Sequence, residues 1–255
     1  MEYLLSVQAA SGFTYQPVTG SSNKDLLEKA KAEDLPEFYV MATDYQLAGR
    51  GRLERRWEAA PGSSVMASIL LRPDFRDPNA LGWLSLLAAI AIAQSLKELE
   101  IQAQIKWPND VLIADKKVSG ILAEASQDLS SVVVGFGINV LQQPNQLPFE
   151  TATSLLAATG NLFDRDQILA SVITNLRALY LALAETGGDA LQSGIRELAL
   201  DFSATTGKKV RIIYPDESEA TGEAIDIDHT GRLVVRTSKE TLSVSAGDVL
   251  HLRSL

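Results

Sequence analysis

A mixed α/β fold carrying a small all-β appendage is what the order of elements in this 255-residue chain predicts. Three observations predict it. Helix-like and strand-like segments alternate along most of the chain, several strand-like runs follow one another between residues 102 and 140, and only short strands follow residue 207. The length suits one large domain with a small companion, and a hydrophobic content of 46% supplies a real core.

Taken in order, Ser21 or Ser22 caps a first helix, NKDLLEKAKAE, and FYVMATD reads as a strand. SVMASILLRP is the next strand, followed by an apolar helix near residues 79–99. Ser85, Gln94, Ser95 and Lys97 break that helix within the length a bilayer requires, so it reads as a buried helix and no membrane span is expected. QAQIKW, DVLIAD, KVSGILAEAS and SVVVGFGINV then come in quick succession. Breaks as short as PN and DK make them an antiparallel meander. The clearest helix is DRDQILASVITNLRALYLALAE, with Asp164 and Gln167 at capping-box spacing and Ile168, Val172, Leu176, Leu179 and Leu183 on one face. GDALQSGIRELAL is a shorter one. KKVRIIY, SEATGEAIDID, RLVVRTS and TLSVSAGDVLHLR, parted by the polar turns PDES and DHTG, suit a small β-barrel.

Composition excludes several chemistries. No cysteine means no disulfide, no thiolate nucleophile and no Cys-ligated metal. The two histidines, His229 and His251, are far in sequence from the basic stretch described next, which argues against a Ser/His triad or a His-rich metal site. A net charge of -9 repels nucleic acid, so no DNA partner is expected. The start MEYLLSVQAASGF has no basic n-region, and a cytoplasmic protein is expected.

Against that acidic background, TDYQLAGRGRLERRW places Arg50, Arg52, Arg55 and Arg56 within seven residues. Gly49 and Gly51 interleave with the first arginines and Trp57 closes the run. Glycine lets a ligand approach the backbone, and arginine offers a fork of donors for carboxylate or phosphate. The stretch reads as a mobile anion-binding loop ending in a flat apolar platform. In IKWPNDVLIADKKVSGILAEAS, Lys106 and Asp110 flank a tight turn, with Pro108 holding Trp107 extended. Strand alternation puts Lys117, Ser119 and Ile121 on one face and Val118, Gly120 and Leu122 on the other. Taken alone, Lys117 reads as solvated and Trp107 as core. In VVVGFGINV, Gly135, Gly137 and Asn139 share a face where a helix or a ligand packs close, and Asn139 tips the choice toward a polar ligand.

Together, GSSNKDLL, QLAGRGR with RRW, KWPNDVLIADKKVSGILAE and GFGINV resemble the biotin protein ligase family in order and spacing, strongly over residues 20–140 and more weakly to GDVLHLRSL. The resemblance implies an α+β fold. Its mixed, mostly antiparallel sheet is flanked by helices in class II synthetase-like manner, with a catalytic domain over 1–203 and an SH3-like barrel over 204–255. It implies ATP-dependent formation of biotinyl-5′-AMP and transfer of biotin to a lysine of biotin carboxyl carrier protein, the acetyl-CoA carboxylase subunit, with magnesium accompanying ATP. Two anions must meet in that reaction, so the site needs cations and positioning more than a nucleophile.

By the same resemblance Lys117 and Arg52 are the catalytic cations. Ser21, Ser22, Asn23, Gln46, Gly49, Arg50, Gly51, Gly120, Gly135 and Gly137 join them around biotin; Arg55, Trp57, Lys106, Asn109 and Asn139 join them around ATP, with Trp57 stacking on adenine. Asp110 is assigned to magnesium or to an arginine. Gly20, Leu53 and Glu54 depart from the family pattern, and the barrel lacks tryptophan. A lipoate or octanoate ligase or transferase of the same superfold is the first alternative, less well matched to Gln46 and the Ser21–Asn23 cluster. A biotinyl-AMP-sensing repressor is the second; with the signature starting at residue 20, no preceding helix-turn-helix is expected. A homodimer through sheet edges is possible in this family.

Overall fold

A computed structural model describes residues 3–52, 55–245 and 247–252. In chain order the elements are α1 (Leu4–Ala9), β1 (Gly12–Thr19), α2 (Ser22–Ala32), β2 (Tyr39–Gln46), β3 (Ser64–Leu71), α3 (Trp83–Glu98), β4 (Gln104–Lys106), β5 (Asp110–Ile113), β6 (Lys116–Ala125) and β7 (Val132–Asn139). They continue with α4 (Leu155–Thr159), α5 (Arg165–Glu185), α6 (Ile195–Asp201), β8 (Lys209–Ile213), β9 (Glu219–Ile227), β10 (Leu233–Arg236), β11 (Thr241–Val244) and β12 (Asp248–His251).

Seven strands form one sheet in the order β1-β2-β3-β7-β6-β5-β4. β1 runs parallel to β2, and every other pairing is antiparallel. The meander expected from KWPND to GFGIN is therefore present, as β4 to β7. Residues of β3 and β7 alternate cleanly: Val65, Ala67, Ile69, Val134, Phe136 and Ile138 enter the main core, while Met66, Ser68, Leu70, Val133, Gly135 and Gly137 belong to the opposite face. The long helices α3 and α5 cover the core face with Trp83, Leu87, Ile90, Leu169, Val172 and Leu176. The opposite face is only partly covered. There Leu26 of α2 packs on Met41, Leu70 and Val133, and the rest of that face is left to the site.

The second sheet, β11-β10-β9-β8-β12, is wholly antiparallel, as the short-strand pattern predicts, and is consistent with an SH3-like fold. It docks tightly. Trp83 Nε1 donates to His229 O at 2.8 Å, Trp107 Nε1 to Gly231 O at 2.9 Å, and the Arg196 guanidinium binds Asp226 and, through Nε, Ile227 O. Core residues of both sheets form one continuous cluster.

Local expectations fail in five places. α1 and β1 are unforeseen: β1 is an edge strand, so Pro17 and exposed positions are tolerated in it. Ser21 occupies the N-cap of α2 without a side-chain capping bond. Asp164 caps α5 by accepting from Asp166 N, so the capping box with Gln167 is not used. The helix of GDALQSGIRELAL is confined to Ile195–Asp201. TLSVSAGDVLHLR divides into β11 and β12. By length and composition the helices Pro78–Glu98 and Arg165–Glu185 could cross a membrane, but both contribute to the core.

Candidate active site

The uncovered part of the sheet, residues 50–52 and 55–57, the turn after β4 and strand β12 enclose a cavity of about 570 Å³. Its floor is the glycine face of β6 and β7, where Gly120 pairs with Gly137. A Cβ on Gly135 would strike the Asn23 side chain, and one on Gly137 would strike the Trp57 indole. These glycines thus seat two of the protein's own side chains, which in turn border the cavity. Trp57 Nε1 is buried there without a partner, and the residue also lines a second, smaller cleft beside Gly49.

One end of the cavity is polar, with neutral side chains gathered beside the Glu124 carboxylate. Asn23 donates to Leu122 O at 3.0 Å and to Glu124 at 2.9 Å, and its Oδ1 accepts from the Ser68 hydroxyl at 2.6 Å. Gln46 Oε1 accepts from Ser22 N at 2.9 Å and from the Ser22 hydroxyl at 3.2 Å. Ser21, Ser22 and Asn23 are each at most 6% exposed. These groups form a pre-organised set of donors and acceptors suited to an uncharged polar head.

The other end is cationic. Lys117 Nζ lies 2.6 Å from Asp110 Oδ1 and Arg55 pairs with Asp248 of β12, while Arg50, 2.9 Å from Glu124, stands between the two ends, since Asn23 donates to the same carboxylate. Arg52 reaches Asn109 Oδ1 at 3.4 Å, and Asn109 in turn donates to Ile121 O at 2.7 Å. Burial lowers the Arg52 pKa from its usual value, opposed by the charges of Asp248 and Asp110. Gly51 N donates to Arg55 O at 2.7 Å, Trp57 N to Gly49 O at 3.0 Å, and Arg50 bridges Arg56, so the loop folds back on itself. A Cβ on Gly49 would meet the Trp57 carbonyl, so that position needs glycine for close approach. Leu53 and Glu54, two of the family departures, lie outside the described residues.

Lys117 reaches this end because β6 carries a bulge. Val111 pairs with Ser119 and Leu112 with Lys117, which leaves Val118 without an opposite residue. The extra residue reverses the alternation, so Lys117 shares the cavity side with Gly120 and Leu122 while Val118 and Ile121 enter the core. The expected grouping of Lys117 with Ser119 and Ile121 is corrected on that ground.

Of the remaining expected residues, Lys106 borders the cavity. Asn139 does too, yet its amide is already committed: it donates to Thr153 O at 3.0 Å and accepts from Gln142 at 3.0 Å. Sequence reasoning missed Glu124, Ser68 and Asp248. Glu124 could have been found by counting on from Gly120 at period two, but Ser68 and Asp248 need the register of β3 and the docking of β12.

The model of the Biotin/lipoate A/B protein ligase family matches residues 15–139, and that of the Biotin protein ligase C terminal domain matches residues 205–252. This gives the class, a protein ligase of the biotin and lipoate kind. The chain is 36% identical to the biotin--[acetyl-CoA-carboxylase] ligase of Mycobacterium tuberculosis, covering 97% of this chain and 92% of that one. With the bifunctional ligase/repressor BirA of Bacillus subtilis it shares 35% identity, over 92% of this chain and 72% of the relative. The structure of biotin protein ligase from Aquifex aeolicus in complex with biotin and ATP superposes with a TM-score of 0.77 at 27% identity, covering 96% of this chain and all of that one. The chain belongs to the biotin protein ligase family, and it is a ligase enzyme.

Proposed function

We infer that the protein activates biotin with ATP and passes the biotinyl group to a lysine of biotin carboxyl carrier protein. The observation that carries this is the polarity of one cavity: a buried end of uncharged hydrogen-bonding side chains facing Lys117, Arg52 and Arg55, with Arg50 between the two. A biotin carboxylate oxygen attacks the α-phosphorus, the bond to the β-phosphate oxygen breaks, and pyrophosphate leaves. The carrier amine then attacks the acyl carbon, AMP departs, and the amine loses a proton.

In this reading Ser22, Asn23 and Gln46 hold the ureido head, while Lys117 and Arg52 offset the negative charge gathered at the α-phosphate. Arg50, Arg55 and Lys106 serve the phosphates, and Trp57 stacks on the adenine. Glu124, Asp110 and Asp248 keep the cations in place until the anions arrive. We assign catalysis to residues 1–203 and place the barrel, 204–255, as the wall that carries Asp248.

Among the described residues no group of three acidic or histidine side chains could hold a metal, and Asp110 is engaged by Lys117. The protein alone does not fit a magnesium cage. Magnesium instead belongs to the substrate as MgATP, since the ion commonly binds through phosphates and water. The lipoate alternative is disfavoured by the match to the biotin C-terminal domain. The net charge of -9 supports action without DNA; a sequence-selective gel shift with duplex DNA would contradict that.

The test is direct. Biotin and ATP should give pyrophosphate and a protein-bound biotinyl-AMP, and an apo carrier domain should then gain one biotin. Pyrophosphate released with lipoate or octanoate but not with biotin would overturn the reading.

A further inference from the structure

The barrel reaches the cavity by a second route besides Asp248. Trp107, in the turn that carries Asn109 and Asp110, is only 3% exposed, and its amide N–H donates to the Thr205 hydroxyl oxygen at 3.1 Å. Thr205 is fully buried, and its Oγ1 lies 3.1 Å from His251 Nε2 on β12. A backbone N–H can only donate, so the Thr205 hydroxyl accepts there; toward His251 Nε2 it can donate, or accept with its second lone pair, according to the tautomer of a neutral ring. Burial, with the charges of Lys106 and Lys208 and against that of Asp115, lowers the His251 pKa to about 4, which supplies the neutral ring. Backbone bonds brace the same place: Ile105 N donates to Phe202 O and Ala204 N to Ile105 O, each at 2.7 Å.

The turn held in this way positions part of the cavity's charge. Asp110 ends it and fixes Lys117 at 2.6 Å, Asn109 within it meets Arg52, and Lys106 precedes it. We propose that Thr205 and His251 are positioning residues for the nucleotide end of the site, holding the Lys106–Asp110 turn in register with Lys117 through the Trp107 amide. The proposal rests on the functional reading above. It assigns work to His251, on the strand that also carries Asp248.

Steady-state adenylation by the full-length protein tests it, with biotin and MgATP varied separately. Thr205→Val keeps the side chain's shape and leaves the Trp107 amide unpaired. The KM for MgATP should rise roughly tenfold or more while the KM for biotin, bound on other elements, stays within about twofold. Thr205→Ser should restore the wild-type value. His251→Leu should show the same ATP-selective rise, and the double variant should be no worse than Thr205→Val alone, because both act through one chain of bonds. A merely structural role would instead lower the apparent kcat with both KM values unchanged; that result, or an unchanged ATP KM in both single variants, would overturn the proposal. Wild-type protein releasing no pyrophosphate from biotin and ATP would defeat the functional reading itself, a distinct outcome.

Discussion

At the α2 end of the cavity, Ser22, Asn23, Gln46 and Ser68 are joined by neutral hydrogen bonds, with Asn23 also donating to Glu124, and are closed off from solvent, save for the half-buried Gln46. At the rim, Lys117, Arg50 and Arg55 rest on Asp110, Glu124 and Asp248 and stay between 39% and 66% exposed in their side chains. The difference is one of exchangeability. Neutral buried bonds fix a geometry and are costly to leave unmade. Exposed ion pairs contribute about 0–1 kcal/mol each, so an incoming carboxylate or phosphate can replace the carboxylate partner at little cost. Recognition is built rigid and charge handling is built ready to switch.

The largest expected effect is at the rim. Lys117→Ala should slow pyrophosphate release by roughly a hundredfold to a thousandfold, the scale set by losing one transition-state donor. Its melting temperature should stay close to wild type because the Lys117–Asp110 pair is only partly buried. Activity within about threefold of wild type, on that same scale, would return Lys117 to the solvated surface.

Arg52→Gly should act next, on retention. Losing a charge-assisted bond of about 1.5–3 kcal/mol should speed biotinyl-AMP release by roughly one to two orders of magnitude. Adenylation itself should fall less, since Lys117 remains. Off-rate and labelling of bystander proteins, measured beside wild type, decide this. If neither changes, the rim does not hold the adenylate.

A substitution in the floor should behave differently. Gly137→Val puts side-chain atoms where the Trp57 indole sits, so it should cost about 1–3 kcal/mol in stability as an overpacked site and weaken ligand binding together. Thermal melting and biotin titration would report it. A variant as stable as wild type with normal affinity would show that the Trp57 seat is dispensable.

These contrasts also explain what was legible in the sequence. Most of the sheet, the helices after α1 and the Arg, Gly and Asn residues of the cavity were readable because those residue types recur at clear period on strands, as in GFGINV, whereas apolar lining such as Pro148, Phe149 and Leu250 was not. Lys117's placement was not, because the bulge at Val118 is a pairing property of β5 with β6 and leaves no mark in either strand alone. β1 escaped because an edge strand with Pro17 and exposed side chains lacks the usual alternation. Asp248 hid as an ordinary acidic residue until the docking of β12 set it against Arg55, whereas Glu124, facing Arg50, was within reach of period-two counting from Gly120.

The smallest effect concerns pH. His251 is half-buried and its pKa, usually 6.5, falls to about 4 through burial and the nearby Lys106 and Lys208. The unfolded chain takes up that proton below pH 6.5 and the folded one only near 4, so this group's contribution is full above 6.5 and declines as pH falls toward 4. Melting temperatures across that window should therefore drop less steeply for His251→Leu than for wild type. Parallel slopes would mean the ring is solvated and titrates normally.

The central claim, that the neutral end selects biotin and the cationic rim converts its carboxylate to an adenylate, is tested most directly by native mass spectrometry after incubation with biotin and MgATP. The account predicts protein carrying the mass of biotinyl-AMP, with one pyrophosphate released per adenylate, and no adduct when lipoate replaces biotin. Protein recovered with no adduct and no pyrophosphate, or with a lipoyl adduct in preference, would contradict it.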